Sequence, residues 1–321
     1  MDGIADKRPL LAIAGPTACG KTRKAVVVAD LFDGEIISAD SRQVYRGMDL
    51  GTGKDLEEYL LPTGKQIRHH LIDIRPAGYK YNLQEFLHDF ESAEQDIRNR
   101  GCLPILCGGS GMYLEVALSG VRLPLIPRNE SLRNELEGKS LEELKTILST
   151  LKKLHNNTDT DCVERAVREI EIEVYYHSHP DADRERDRKK TTPRNHVLVA
   201  LELDRDLRRN RISERLRRRF REGMTDEVEK LLSEGVKPED LIYYGLEYKY
   251  ITLYVTGKIS REKMEYDLEI AIHQFAKRQM TWLRGMERRG FTIHWLPATM
   301  DDSEFAQKAA SLLHNNGNKA K

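Results

Sequence analysis

Residues Gly15-Pro16-Thr17-Ala18-Cys19-Gly20-Lys21-Thr22 carry the pattern G-x-x-x-x-G-K-[ST] in the context that gives it meaning. The apolar run Leu10-Leu11-Ala12-Ile13-Ala14 precedes it and reads as a buried strand, and residues 24–31 follow as a helix. Glycines let the backbone curl so that successive N–H groups converge on one anion. The helix N-terminus adds partial positive charge, and Lys21 adds a full one. Thr22 offers a hydroxyl to a Mg²⁺ ion. A strand, this loop and a helix in succession commit the chain to an α/β unit with a phosphate or pyrophosphate at the end of its first strand.

The alternation continues. Asp33-Gly34 breaks the first helix, and Glu35-Ile36-Ile37-Ser38-Ala39-Asp40 reads as a second buried strand ending in a carboxylate. Residues 42–54 are polar and punctuated by Gly47, Gly51 and Gly53, which makes them a loop. A strand is expected over 67–73. Asn82 caps a helix reaching residue 100, with Leu83, Phe86, Leu87 and Phe90 at helical spacing. Residues 103–107 form another buried strand, turned into a helix by Gly108-Gly109-Ser110-Gly111. Strands separated by helices in this order predict a P-loop NTPase-like parallel sheet flanked by helices. Ligands of such sheets bind outside the carboxyl ends of the strands, which puts Asp40 and Ser41 beside the phosphate loop.

After Arg122 the character changes. Pro124, Pro127 and Asn129 mark a boundary, and residues 129–172 read mostly as helices. Residues 181–193 are almost purely charged, a solvated connection, before 196–203 return to strand. The expected organisation is a discontinuous catalytic core over 1–122 and 191–310, a mostly helical insertion domain over 123–190, and a flexible tail over 311–321. No apolar run approaches the roughly 18 residues of a membrane span, and the charged N-terminus makes the cytoplasm the expected location. Cys19, Cys102, Cys107 and Cys162 show no C-x-x-C spacing, so reduced thiols are expected. A formal net charge of zero conceals nine arginines between Arg205 and Arg221, interrupted among acids only by Asp206 and Glu214. Such a run is either a solvated helix face or an electrostatic footprint for nucleic acid.

Two features narrow the chemistry. NTP-hydrolysing loops are partnered by an acidic residue after an apolar strand, whereas strand 103–107 ends in glycine. Asp40 closes the clearest strand that does end in an acid. It suits a metal ligand, as in a small-metabolite kinase, or a base facing an acceptor across from the phosphates. The second feature is Lys277-Arg278-Gln279-Met280-Thr281-Trp282-Leu283-Arg284. Three cations, an amide and an indole suit phosphate contacts with base stacking, or an amphipathic helix with Trp282 in the core and cations outside.

Together these stretches resemble the tRNA dimethylallyltransferase family. The resemblance rests on the phosphate loop, on 36–52, on His69-His70-Leu71-Ile72-Asp73, on 103–114 and on 276–284, in the family's order across most of 9–296. It implies transfer of a dimethylallyl group from dimethylallyl diphosphate to N6 of adenosine 37 beside the tRNA anticodon, with release of diphosphate. On that basis Gly15, Pro16, Thr17, Ala18, Cys19, Gly20, Lys21 and Thr22 bind the diphosphate, Thr22 together with Mg²⁺. Asp40 and Thr17 are the implied catalytic residues, Asp40 as the base on N6 and Thr17 as a further hydroxyl donor. Implied tRNA contacts are Asp40, Ser41, Arg42, Gln43, Ser110, Arg165, Arg168, Lys277, Arg278, Gln279, Trp282 and Arg284. The insertion grips the anticodon stem-loop, and a monomer is the expected state.

The chain departs from the family pattern in three places, one of them Arg165-Ala166-Val167-Arg168-Glu169-Ile170-Glu171 of the insertion, which only approximates the family's Arg-x-x-Arg-Ala-Leu-Glu. Gly245-Leu246-Glu247-Tyr248-Lys249 stands where members usually carry Gly-Tyr-Arg/Lys-Glu/Gln, so Glu247 replaces a cation that helps hold the leaving group, with Lys249 the nearest substitute. Ile272-His273 replaces a usual Thr-Arg. An isopentenyltransferase for free AMP or ADP shares the loop and the Asp40 block, and a P-loop kinase for a small metabolite shares the loop. A mononucleotide acceptor has no need of the helical insertion or the basic segments.

Overall fold

A computed structural model describes residues 8–121, 126–152, 162–180 and 192–317; most of the charged connection expected over 181–193 lies outside them. The chain divides into two compact units, Met1–Val121 with Pro193–Lys321, and Arg122–Thr192.

The first unit is built on one parallel sheet. Its strands are β1 (Leu10–Ala14), β2 (Gly34–Ser38), β3 (His69–His70), β4 (Leu103–Gly108), β5 (His196–Glu202) and β6 (Ile293–Pro297), in the order β3-β2-β4-β1-β5-β6. β1 pairs with β4 through Leu11–Ile105 and Ile13–Cys107, and with β5 through Leu11–Val197. All residues of β1, β2 and β4 are buried, as near-continuous apolar strands must be when helices cover both faces. Glu35 is the exception in chemistry. Burial opposes its ionisation, but hydrogen bonds from Arg100 and His70 outweigh this and hold its carboxyl below the ordinary range. The strand expected over 67–73 shrinks to His69–His70, because Leu71 and Asp73 adopt φ of 62° and 56° and turn the chain away.

Helices α1 (Lys21–Phe32), α2 (Leu83–Asn99) and α3 (Gly111–Ser119) belong to this unit. Asn82 caps α2 by accepting from the N–H groups of Gln84 and Glu85, and Glu85 reaches back to the Asn82 N–H. This capping box fixes where the helix begins. The second unit consists of α4 (Glu130–Leu136), α5 (Leu141–Leu151) and α6 (Val163–Ser178) around Leu136, Leu144, Leu148, Ala166 and Ile170. At its centre the fully buried Glu171 carboxylate accepts from Arg133 at 2.6 and 2.7 Å, from Arg168 at 3.1 Å and from the Asn129 N–H at 3.0 Å.

The chain then returns to the first unit. There it adds α7 (Arg205–Arg221), α8 (Met224–Ser233), α9 (Pro238–Tyr243), α10 (Leu246–Val255), α11 (Arg261–Arg288) and α12 (Asp302–Gly317). Of the tail expected over 311–321, the part up to Gly317 continues helix α12, and 318–321 lie outside the described residues. Phe305, Ala309 and Leu313 recur every four residues and are all buried, so the last turns are held by packing despite their polar sequence. Lys24 of α1 pairs with Asp302 at 2.8 Å at the start of that helix. All four cysteines are unpaired, and no described helix is long and apolar enough to cross a membrane.

Candidate active site

The phosphate loop joins β1 to α1. Gly20 precedes the helix at φ 85°, a left-handed conformation that would strain any side chain. Cys19 turns its thiol into the core, so it can offer an anion only its backbone. Lys21 folds back and donates from Nζ to the Pro16 carbonyl at 2.7 Å. The Thr17 N–H is already taken by Gln279 Oε1 at 2.8 Å, which leaves the N–H groups of 18–22 and the Thr17 hydroxyl. A tight cradle with one lysine and two hydroxyls is what a diphosphate requires.

Asp40 follows β2. Its Oδ1 accepts from the Arg42 N–H at 2.9 Å, which fixes the carboxylate against the loop that follows. The neighbouring turn supports the same loop: Ser110 Oγ accepts from the Ser41 N–H at 3.1 Å, and the Ser110 N–H donates to the Ala39 carbonyl at 3.2 Å. A Cβ at Gly108 would overlap the Ala39 carbonyl, so only glycine lets the two strand ends approach this closely. β4 thus lies between β1 and β2, and the turn after it separates the phosphate loop from Asp40 while linking them. The link is Gln279, which accepts from Thr17 and donates from Nε2 to the Gly109 carbonyl at 3.0 Å. Beneath, burial pushes the Cys107 thiol up to about 12, with Lys21 opposing and Cys19, Glu58 and Asp40 adding to the shift.

Sequence reasoning did not find the charged cluster beside the loop. Arg215 and Arg219, one turn apart on α7, both ion-pair with Asp55, Arg219 at 3.1 Å. Burial opposes ionisation of Asp55, but the two guanidinium groups outweigh it and hold its carboxyl low. Glu58 is raised by desolvation and by the Asp55 charge, with Arg215 and the Thr22 hydroxyl opposing. Burial likewise raises Glu247, which faces Arg219, Arg215 and Asp40. The i, i+4 spacing of Arg215 and Arg219 was a usable signal, but seven further arginines masked it. Lys249, the nearest substitute cation in the sequence, is exposed and lies over the Tyr250 ring at 5.5 Å.

The segment 277–284 divides between the two readings that composition allowed. Lys277, Arg278 and Arg284 are exposed on α11, whereas Gln279, Met280 and Leu283 are buried. Trp282 is half-buried; it packs on Gly111, where a Cβ would collide with its indole, and carries Arg289 over its ring at 5.6 Å. An open groove of about 740 Å³ runs along this face, lined by Lys277, Arg278, Thr281, Trp282 and Arg288 among others. Gln279, by contrast, turns its amide inward and clamps the phosphate loop to the turn after β4. Gln43 is likewise engaged within the protein, where its amide bonds Ser38 Oγ at 2.8 Å and the Gly53 carbonyl at 3.0 Å. Arg42 is partly exposed, with its guanidinium over the Tyr243 ring. Arg165 and Arg168 lie on α6 of the other unit, Arg165 exposed and Arg168 bonded to Glu171 and the Ile126 carbonyl.

Among the described residues no three His, Cys, Asp or Glu side chains converge as a metal cage. The Thr22 hydroxyl with Glu58 nearby is an all-oxygen donor set, which fits a Mg²⁺ ion that takes few protein ligands and keeps substrate phosphates and water.

A model of the IPP transferase family matches residues 43–286. The chain is 55% identical over 306 residues to tRNA dimethylallyltransferase 1 of Parabacteroides distasonis, covering 95% of this chain and 98% of that protein. It is 57% identical over 295 residues to tRNA dimethylallyltransferase 2 of Bacteroides fragilis, covering 92% and 94%. The crystal structure of the full-length tRNA isopentenylpyrophosphate transferase of Bacillus halodurans superposes with a TM-score of 0.70 at 30% identity, over 98% of this chain and 99% of that one. A eukaryotic dimethylallyltransferase acting on tRNA shares the fold, with a TM-score of 0.76 at 23% identity over 98% of this chain and 80% of its own. On these grounds the chain belongs to the IPP transferase family, the tRNA dimethylallyltransferases.

Proposed function

We propose that the protein transfers a dimethylallyl group from dimethylallyl diphosphate to N6 of adenosine 37 beside the tRNA anticodon and releases diphosphate. The observation that carries this reading is the Gln279 clamp, which ties a diphosphate cradle to the turn supporting Asp40. Leaving-group site and base thereby share one rigid support.

Adenine N6 is a weak nucleophile because its lone pair is delocalised into the ring. Asp40 accepts a hydrogen bond from N6–H, orients the amine and takes its proton as the N6–C bond forms and the allylic C–O bond breaks. The electron pair of that C–O bond leaves on the diphosphate. Loop N–H groups, Lys21 and the Thr17 hydroxyl receive the growing charge, in a site whose field Arg215 and Arg219 make more positive. Thr22, with Glu58 beside it, would hold a Mg²⁺ ion, which supplies further neutralisation of the diphosphate when bound. The acceptor base leaves its stack to reach Asp40, at a cost of a few kcal/mol that is smaller in a loop than in a duplex. Lys277, Arg278, Arg284 and Arg165 are suited to tRNA phosphates.

The test is incubation with labelled dimethylallyl diphosphate, Mg²⁺ and either unmodified tRNA or AMP. Label entering AMP alone overturns the tRNA reading, and ATP-dependent phosphorylation of a metabolite in its place favours a kinase. Asp40→Ala is expected to lose roughly 10²- to 10⁴-fold in turnover with tRNA affinity kept within a few-fold. Wild-type turnover in that variant refutes the base assignment.

A further inference from the structure

Tyr243 ends α9 with its ring half in solvent, 52% exposed, while the next residue, Tyr244, is wholly buried. Two cations lie over the exposed ring, the Arg42 guanidinium at 5.5 Å and Lys80 Nζ at 5.8 Å. Lys80 also faces Asp240 at 3.7 Å, but Arg42 has no ion pair among the described residues. An exposed cation–π contact contributes little to folding, about 0.5–1 kcal/mol. An aromatic ring and an unpaired guanidinium held at the surface are better explained by what they can bind.

Their position says what that is. Arg42 is anchored to the candidate base, its N–H donating to Asp40 Oδ1 at 2.9 Å. Its side chain runs along Gly245, where a Cβ would sit 3.7 Å from Nε, so Tyr243–Gly245 abuts the Asp40 loop. Behind Tyr243 the aromatic packing continues through Tyr244 at 5.9 Å to Tyr45 at 4.4 Å. The platform is therefore stiff, adjoins the base and is open to solvent.

An acceptor base that leaves its stack deprives its neighbour in the loop of a stacking partner. Aromatic rings and guanidinium planes are the groups that replace such a partner on single-stranded RNA. We propose that Tyr243, with Arg42 beside it, is the stacking platform for a nucleobase adjoining the acceptor adenosine. This deepens the reading of the reaction given above and rests on it.

The experiment uses the full chain, dimethylallyl diphosphate and an anticodon stem-loop RNA carrying 2-aminopurine at each position flanking the acceptor in turn. Stacking quenches the fluorescence of that base, so quenching on binding reads contact without any catalysis. Wild type and Tyr243→Phe are expected to quench at one of the two positions, and Tyr243→Ala is not. In turnover Tyr243→Ala is expected to raise KM for the RNA roughly ten- to a hundredfold, with KM for dimethylallyl diphosphate unchanged and Tyr243→Phe restoring the loss. An abasic nucleotide at the stacked position should erase the difference between wild type and Tyr243→Ala. Equal quenching by wild type and Tyr243→Ala, or an undiminished penalty on the abasic RNA, overturns the platform. Quenching that depends on Tyr243 in a protein that never prenylates RNA would overturn the reaction and leave the platform standing.

Discussion

Gln279 Oε1 accepts the Thr17 backbone N–H at 2.8 Å, joining two residues 262 positions apart in the sequence. The same amide donates to the Gly109 carbonyl at 3.0 Å, so one buried side chain on α11 holds the phosphate loop against the turn that supports Asp40. Gln279→Ala leaves the Thr17 N–H and the Gly109 carbonyl without this partner. Loss of such a bond weakens a site by about 0.5–1.5 kcal/mol. A rise of roughly two- to tenfold in KM for dimethylallyl diphosphate is expected, with little change in tRNA affinity. Steady-state kinetics with each substrate varied in turn checks this, and a defect confined to tRNA binding would restore Gln279 to the RNA contacts.

Lys277 and Arg284 differ from Gln279 in being exposed on the same helix. Each Ala variant should weaken tRNA binding and lower the slope of log affinity against log salt by roughly one unit per lost phosphate contact. Gln279→Ala, which removes no charge, should leave that slope alone. Binding titrations across a salt series separate the two classes, and an unchanged slope for Lys277→Ala and Arg284→Ala would make them solvated surface only.

Arg219 and Lys249 offer a direct contrast. Arg219 is buried against Asp55, and Lys249 lies outside over Tyr250. Arg219→Met should raise KM for dimethylallyl diphosphate, because the positive field beside the loop falls and Asp55 keeps only Arg215. Lys249→Ala should match wild type within about twofold, as an exposed charge with no close partner in the site does. The opposite ranking would return the substitute cation to Lys249.

Glu171 predicts an acid-sensitive helical unit. Burial opposes its ionisation, yet Arg133, the Asn129 N–H and Arg168 outweigh this and hold its carboxyl below the ordinary 4.5. A depressed folded value means the stabilisation is complete above the unfolded value and is lost as pH falls from about 4.5 through the folded one. Glu171→Gln should cost about 1.5–3 kcal/mol at neutral pH, the range for hydrogen bonds to a charged group. That gap should close as the solution is acidified. Denaturant melts at several pH values measure it, and a gap independent of pH would argue against the charge as its source.

Much of the site is legible in the amino-acid sequence because its chemistry is local. The strand, Gly15 to Thr22 and the helix that follows are contiguous, and backbone geometry alone makes them an anion cradle. Asp40 at the end of β2 is legible for a similar reason, since parallel sheets place strand ends at one edge. The helical character of 129–172 and the cap at Asn82 follow from periodicity and local hydrogen bonding.

What tertiary structure decided is the fate of side chains whose partners are far away in sequence. Nothing near Gln279 says that its amide turns inward to Thr17 and Gly109. Two arginines of nine are drawn to Asp55 because α7 packs there, and the polar end of α12 stays helical because Phe305, Ala309 and Leu313 are buried. The phosphate loop, Gly15 to Thr22, is readable as a binding element from sequence. That it is clamped to Asp40's support through Gln279 is a property of packing, where contacts join residues hundreds of positions apart.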